Sequence, residues 1–249
     1  MPGTEHQAPG TKSQSYDPCM RQTSWFVLMS FLGGLVATAP TLAQSEEAAR
    51  IKTAIQVLQE IKDAPDSGVP RWVAEKAQGI AVFPSVKKGG LLVGGEWGRG
   101  VMSAKSAKSG TWSAPAFLTV TGGSVGAQIG GETVDFVLVI IDEQGLDQLA
   151  RNQFKLGADA GVSAGPVGRN SEASTDIQMR AKILSYSRSR GLFAGVTLKG
   201  STIKQDRDAN ERFYGQPYKT TELLFDRLGG APDPVPAWRD LLNSLKGGS

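Results

Sequence analysis

The chain has 249 residues, with 27 Lys and Arg against 24 Asp and Glu for a net charge of +3, and it contains one cysteine and one histidine. So mild an excess does not by itself mark a nucleic-acid-binding protein, and what matters is where the cations cluster. Cys19 and His6 both fall within the first 43 residues, so the remainder excludes thiol nucleophiles, Ser-His-Asp triads, zinc sites built on His or Cys, and disulfides.

In chain order, a polar extension comes first. Arg21 then precedes an uncharged run with an apolar centre from Trp25 to Ala37, followed by Pro40 and Thr41-Leu42-Ala43. That order is the outline of a secretory signal peptide, with cleavage expected after Ala43 and Met20 as the expected start. Residues 1–43 are thus read as extension plus signal peptide, and 44–249 as one domain. The expected setting is extracytoplasmic, periplasmic or secreted, with peripheral membrane association. An uncleaved anchor is the competing reading, since the run approaches the ~20 residues that span a bilayer.

A helix is predicted from about Ser45 to Lys62, where Ile51, Ala54, Ile55, Leu58 and Ile61 recur at helical spacing. Core docking rather than membrane contact is expected of it, because its polar face holds few cations. A short helix over Trp72–Ala77 leads into a strand at Ile80–Phe83. From there to about residue 200 the chain reads as strands, with Gly-Gly pairs, Lys-Ser-Gly and Arg-Gly as turns and one helix near Glu143–Phe154. Val134–Ile141 is apolar apart from Asp135, the pattern of a strand buried on both faces. Helices are predicted around Arg207–Tyr214 and Thr220–Arg227, and Pro236 opens a last one carrying Trp238, Leu241, Leu242 and Leu245. The fold class is α+β: a curved antiparallel sheet closed into a barrel or sandwich, with N-terminal and C-terminal helices packed on it.

The segment from Ile177 to Gly195 alternates like a strand. Its even positions include Arg180, Lys182, Tyr186, Arg188 and Arg190, and same-face neighbours stand about 6–7 Å apart, so they predict a basic ladder suited to phosphates. Lys87, Lys88 and Arg169 join it as loop cations. Ser187 and Ser189 fall on the opposite face and are assigned to structure.

Within that segment, Tyr186-Ser187-Arg188-Ser189-Arg190-Gly191-Leu192-Phe193-Ala194-Gly195 resembles the signature of the SYLF domain, a family of lipid-binding modules. Three further blocks agree in order and spacing: Gly79 to Pro84 with Lys88-Gly89-Gly90, Gly122 to Gly131, and Gly157 to Arg169. The resemblance covers about residues 45 to 228. It implies a non-enzymatic domain that binds anionic phospholipid, without nucleic acid, metal or cofactor. Eukaryotic members are associated with phosphoinositide membranes and some fungal members with actin, often beside an SH3 or FYVE module; neither module is visible here, so an actin role is not implied. The alternative is a cell-envelope structural or assembly protein whose basic surface meets a protein or acidic glycan.

Other motifs carry less. Gly161 to Arg169 and Gly94 to Gly100 match neither a dinucleotide fingerprint nor a P-loop. Asp206 to Asn210 opens like a calcium loop, but Glu211 and Pro217 stand where glycine and glutamate are required. Trp97, Trp112, Phe193 and Tyr214 are candidate interfacial aromatics, with core packing the competing fate of each.

Overall fold

The computed structural model describes residues 40–64, 69–151, 153–158, 161–167, 181–189, 192–196, 198, 200–225 and 231–245, excepting the side chains of 40–45, 90–93, 124–130 and 193. Met20 and the apolar run from Trp25 to Ala37 lie outside the described residues.

The elements run α1 (Pro40–Asp63), α2 (Arg71–Lys76), β1 (Gly79–Ala104), β2 (Ala116–Ile140), α3 (Glu143–Leu149), β3 (Gln153–Lys155), β4 (Val162–Ala164), β5 (Ile183–Ser189), β6 (Leu192–Gly195), β7 (Thr202–Gln205), α4 (Arg207–Tyr214), α5 (Thr220–Phe225) and α6 (Val235–Ser244). Among the described residues, seven strands form one curled sheet. β1 and β2 pair antiparallel along almost their whole length, from Gly79 opposite Ile140 to Met102 opposite Ala116. The other edge of β2 is shared by β7 at Leu118–Thr121 and by β5 at Asp135–Ile140. The fold is α+β, as the pattern predicts, and the sheet curls into a half-barrel; it is mixed where an antiparallel sheet was expected, because β4 runs parallel to β5.

The Gly-Gly pairs are not turns. Gly89, Gly90 and Gly95 lie within β1 directly opposite Gly131, Gly130 and Gly123 of β2. They flank the place where the two-stranded ribbon slips register, between Leu91 and Val93, and there the ribbon bends back on itself. A strand can bend so sharply only where side chains do not obstruct it. Beyond the bend the two arms of β1 touch. A Cβ on Gly98 would press into Val86, whose Cα lies 3.2 Å away, and one on Gly79 would meet the Ser103 carbonyl oxygen at 3.4 Å. The arms join where Lys105 N donates to the Gln78 carbonyl, 2.7 Å.

Both faces of this curled sheet are covered. On one, Val82, Val101, Phe117, Val137, Leu184 and Tyr186 pack under α1, α2, α4 and α6, with Ile51, Ala54, Leu58 and Ile61 of α1 aligned at the predicted spacing. On the other, Phe83, Met102, Leu118, Phe136 and Leu138 meet α3, α5, Phe154 and Ile203. α3 ends at Leu149, short of the predicted Phe154, because the burial pattern switches from helical to alternating: Phe154 is the buried residue of β3, opposite Ile203. Buried polar contacts fix the helices. Trp238 Nε1 on α6 donates to Ser103 Oγ, 2.8 Å, and Arg212 on α4 reaches the fully buried Glu47 of α1, 2.7 Å. Asp206 accepts from Ala209 N, capping α4, and also receives Arg50, 3.1 Å. The loop that resembled a calcium site is therefore a helix cap.

Candidate functional site

The even face of β5 was expected to look outward. Because helices cover the sheet on that side, it looks into the core instead. Leu184 and Tyr186 are buried against α1. The Tyr186 ring lies so close over Gly165 that a Cβ there would overlap it, and Gly195, opposite Tyr186 on β6, leaves no room for a Cβ beside the Gly165 backbone. Tyrosine and two glycines from separate sequence blocks thus interlock, which accounts for that residue pattern in packing terms.

Arg188 follows at the margin of this face. It stands opposite Asp135 on β2, with Nε at 2.7 Å and Nη2 at 2.6 Å from Oδ2, and Nη1 pairs with Glu60 near the end of α1. Asp135 also accepts from Ser85 N, 2.8 Å, where a bulge holds Ser85 at φ 53°. Burial raises the Asp135 carboxyl above its ordinary range, opposed by the Ser85 bond, and burial lowers the Arg188 guanidinium. Arg188 is thus a structural clamp between strand and helix.

The remaining predicted cations divide. Lys182 precedes β5 and donates to Gln144 Oε1 on α3, 2.7 Å. Lys87 is exposed opposite Thr133. Lys88 is half-buried, its Nζ 4.0 Å from the Glu96 carboxylate and 4.7 Å from the centre of the Phe136 ring. Arg169, Arg180 and Arg190 lie outside the described residues. Of the aromatics, Trp97 is 45% exposed, Trp112 is buried, and Tyr214 gives its hydroxyl to the Pro115 carbonyl, 2.5 Å; the Phe193 side chain is not among those described.

One group was not anticipated. Glu132 stands opposite Lys88 and accepts from Ser189 Oγ, 2.6 Å, and Ser189 pairs with Leu192 across the β5–β6 connection. These links set Leu192, 75% exposed, at the bend end of the sheet on the face that carries Lys88, three strands over from β1, with Lys87 on the opposite face. The signal in the sequence was Gly191 ahead of a large apolar residue, Leu192. Partners for Arg188 were readable only in part, from Asp135 as the lone charge in an apolar run.

A family described as "Las17-binding protein actin regulator", Ysc84, matches residues 121–247. "Protein YSC84" of Saccharomyces cerevisiae is 36% identical over 179 residues, 71% of this chain and 38% of that protein. "SH3 domain-containing YSC84-like protein 1" of Rattus norvegicus is 34% identical over 202 residues, 78% of this chain and 58% of its own length. "LAS seventeen-binding protein 3" of S. cerevisiae is 34% identical over 202 residues, 80% of this chain and 43% of that protein. The chain therefore spans between 38% and 58% of the length of these relatives, and none of their names denotes an enzyme. The match over half the chain, joined to the interlocked signature residues, makes the chain a member of the Ysc84 family, the same family as the SYLF domain it resembles.

Proposed function

We propose that this chain is a non-enzymatic module that docks on anionic phospholipid surfaces through the bend of its ribbon. The observation that carries this reading is that an exposed apolar residue, Leu192, and an exposed cation, Lys87, share the bend end of the sheet. An exposed apolar side chain can enter the headgroup boundary while cations at the same end of the sheet meet phosphates, each adding about 1 kcal/mol near an anionic surface. Lys87 is exposed. Lys88 contributes less, since Glu96 holds it, and Arg169, Arg180 and Arg190 extend the proposal from sequence alone.

The test is co-sedimentation of the full chain with phosphatidylcholine vesicles, with and without phosphatidylserine, at low and high salt. Binding confined to anionic vesicles and weakened by salt supports the reading. Binding to neither removes it.

A second reading has one observation in its favour: the relatives' names and the family description speak of a protein partner and of actin. Those words describe longer proteins, so the partner surface can lie in parts this chain does not match. Co-sedimentation with filamentous actin, run alongside the vesicles, separates the two readings.

A further inference from the structure

At the pole of the sheet opposite the bend, where the ends of β1 meet, lies a cleft of about 540 Å³. It falls within the ~300–1,000 Å³ of ordinary ligand sites. It is separate from the surface around Leu192: from Ile140 at this pole to Glu132 near the bend, β2 runs about 25 Å at ~3.3 Å per residue.

The walls of the cleft differ in sign. One is the loop after β1, carrying Lys105 and Lys108. Ser106 N donates to the Thr111 carbonyl at 2.9 Å and Gly110 N to the Ser106 carbonyl at 2.8 Å, with Gly110 at φ +65°, so the loop is pre-shaped. The other wall is α3, carrying Glu143 and Asp147. These are one turn apart on the same helical face, where like charges repel, and both are exposed, as is Lys108. Between the walls the floor is apolar, formed by Leu146 and Leu224, with Phe225 at its margin 45% exposed.

We propose that this cleft receives a short peptide segment of a partner protein, one with an acidic residue, an apolar residue and a basic residue in close succession. Its carboxylate meets Lys105 and Lys108, its apolar side chain covers Leu146, Leu224 and Phe225, and its cation relieves the Glu143–Asp147 repulsion. A purely anionic ligand satisfies only one wall, and a bilayer docked at the bend does not reach this pole.

The test probes an array of immobilised twelve-residue peptides with the full chain. The array varies the order and spacing of one acidic, one basic and two apolar residues, with all-acidic and all-basic controls. Mixed-charge peptides should be retained above both controls. Lys108→Glu and Asp147→Lys, both at exposed positions, should each weaken the best peptide about fivefold at unchanged melting temperature. Equal retention of all three peptide classes, no retention of any, or indifference to both single exchanges overturns the proposal.

Discussion

Arg188 of β5 and Asp135 of β2 face each other across the sheet with the guanidinium 2.6 Å from the carboxylate, and the same arginine reaches Glu60 of α1. An arginine so engaged is poorly placed to give its charge to a lipid. Arg188→Gln leaves Asp135 largely buried without its cation, so it should destabilise the fold by about 3 kcal/mol. Arg188→Gln with Asp135→Asn should cost less than the single change, because no charge is then stranded. Chemical denaturation of the three variants measures this. Equal losses for single and double variants would mean the clamp contributes little.

The Tyr186–Gly165–Gly195 interlock makes a second prediction. Gly165→Ala and Gly195→Ala each force a methyl group into occupied space and should cost about 2 kcal/mol or more. Gly89→Ala, exposed with nothing within 4 Å of the added carbon, should change stability by less than about 1 kcal/mol. Thermal unfolding of the three side by side checks the contrast.

High pH should unfold the protein through its buried phenols. Burial raises both Tyr186 and Tyr214 above the usual tyrosine value, so the folded state holds these protons more tightly than the unfolded chain does. The stability tied to them is complete below about pH 10 and falls as pH rises beyond it, by up to ~1.4 kcal/mol per pH unit for each group. Phenolate absorbance from these two residues should appear together with loss of structure, not before it. Tyr186→Phe should flatten the decline. Because the hydroxyl has no hydrogen-bond partner among the described residues, the change should also raise stability near neutral pH by about 1 kcal/mol.

Lipid docking is best tested away from the clamp. Lys87→Glu and Leu192→Asp alter exposed side chains, so melting temperature should hold while binding to phosphatidylserine vesicles falls, several-fold for each. Retained binding in both variants would place the contact elsewhere.

Much of α1 was legible because its apolar spacing is a local property that docking only confirms. The ladder was misread for a related reason. Alternation in β5 separates two faces but does not say whether one is open, and here Leu184 and Tyr186 meet a helix more than a hundred residues earlier in the chain. The glycine pairs were ambiguous in a similar way. Gly89-Gly90 suits a turn as well as a bend within a ribbon, and what decides is its register against Gly130 and Gly131, which no local window contains. Asp135 was visible as an anomaly in its apolar run, but Glu60 was not, since a glutamate near the end of a helix is ordinary in sequence.

The ribbon also bears on how the chain finds its fold. Gly79 and Ile140 are 61 residues apart along the chain, a separation that would ordinarily make pairing slow. They are nevertheless the last rungs of one ladder whose first rungs lie beside the Lys105–Thr111 turn. Each rung formed brings the next within reach, so no large loop has to close in a single step. Assembly can then run outward from that turn through the glycine bend, and the meeting of Gln78 with Lys105 becomes a finishing contact that records that both arms are in register.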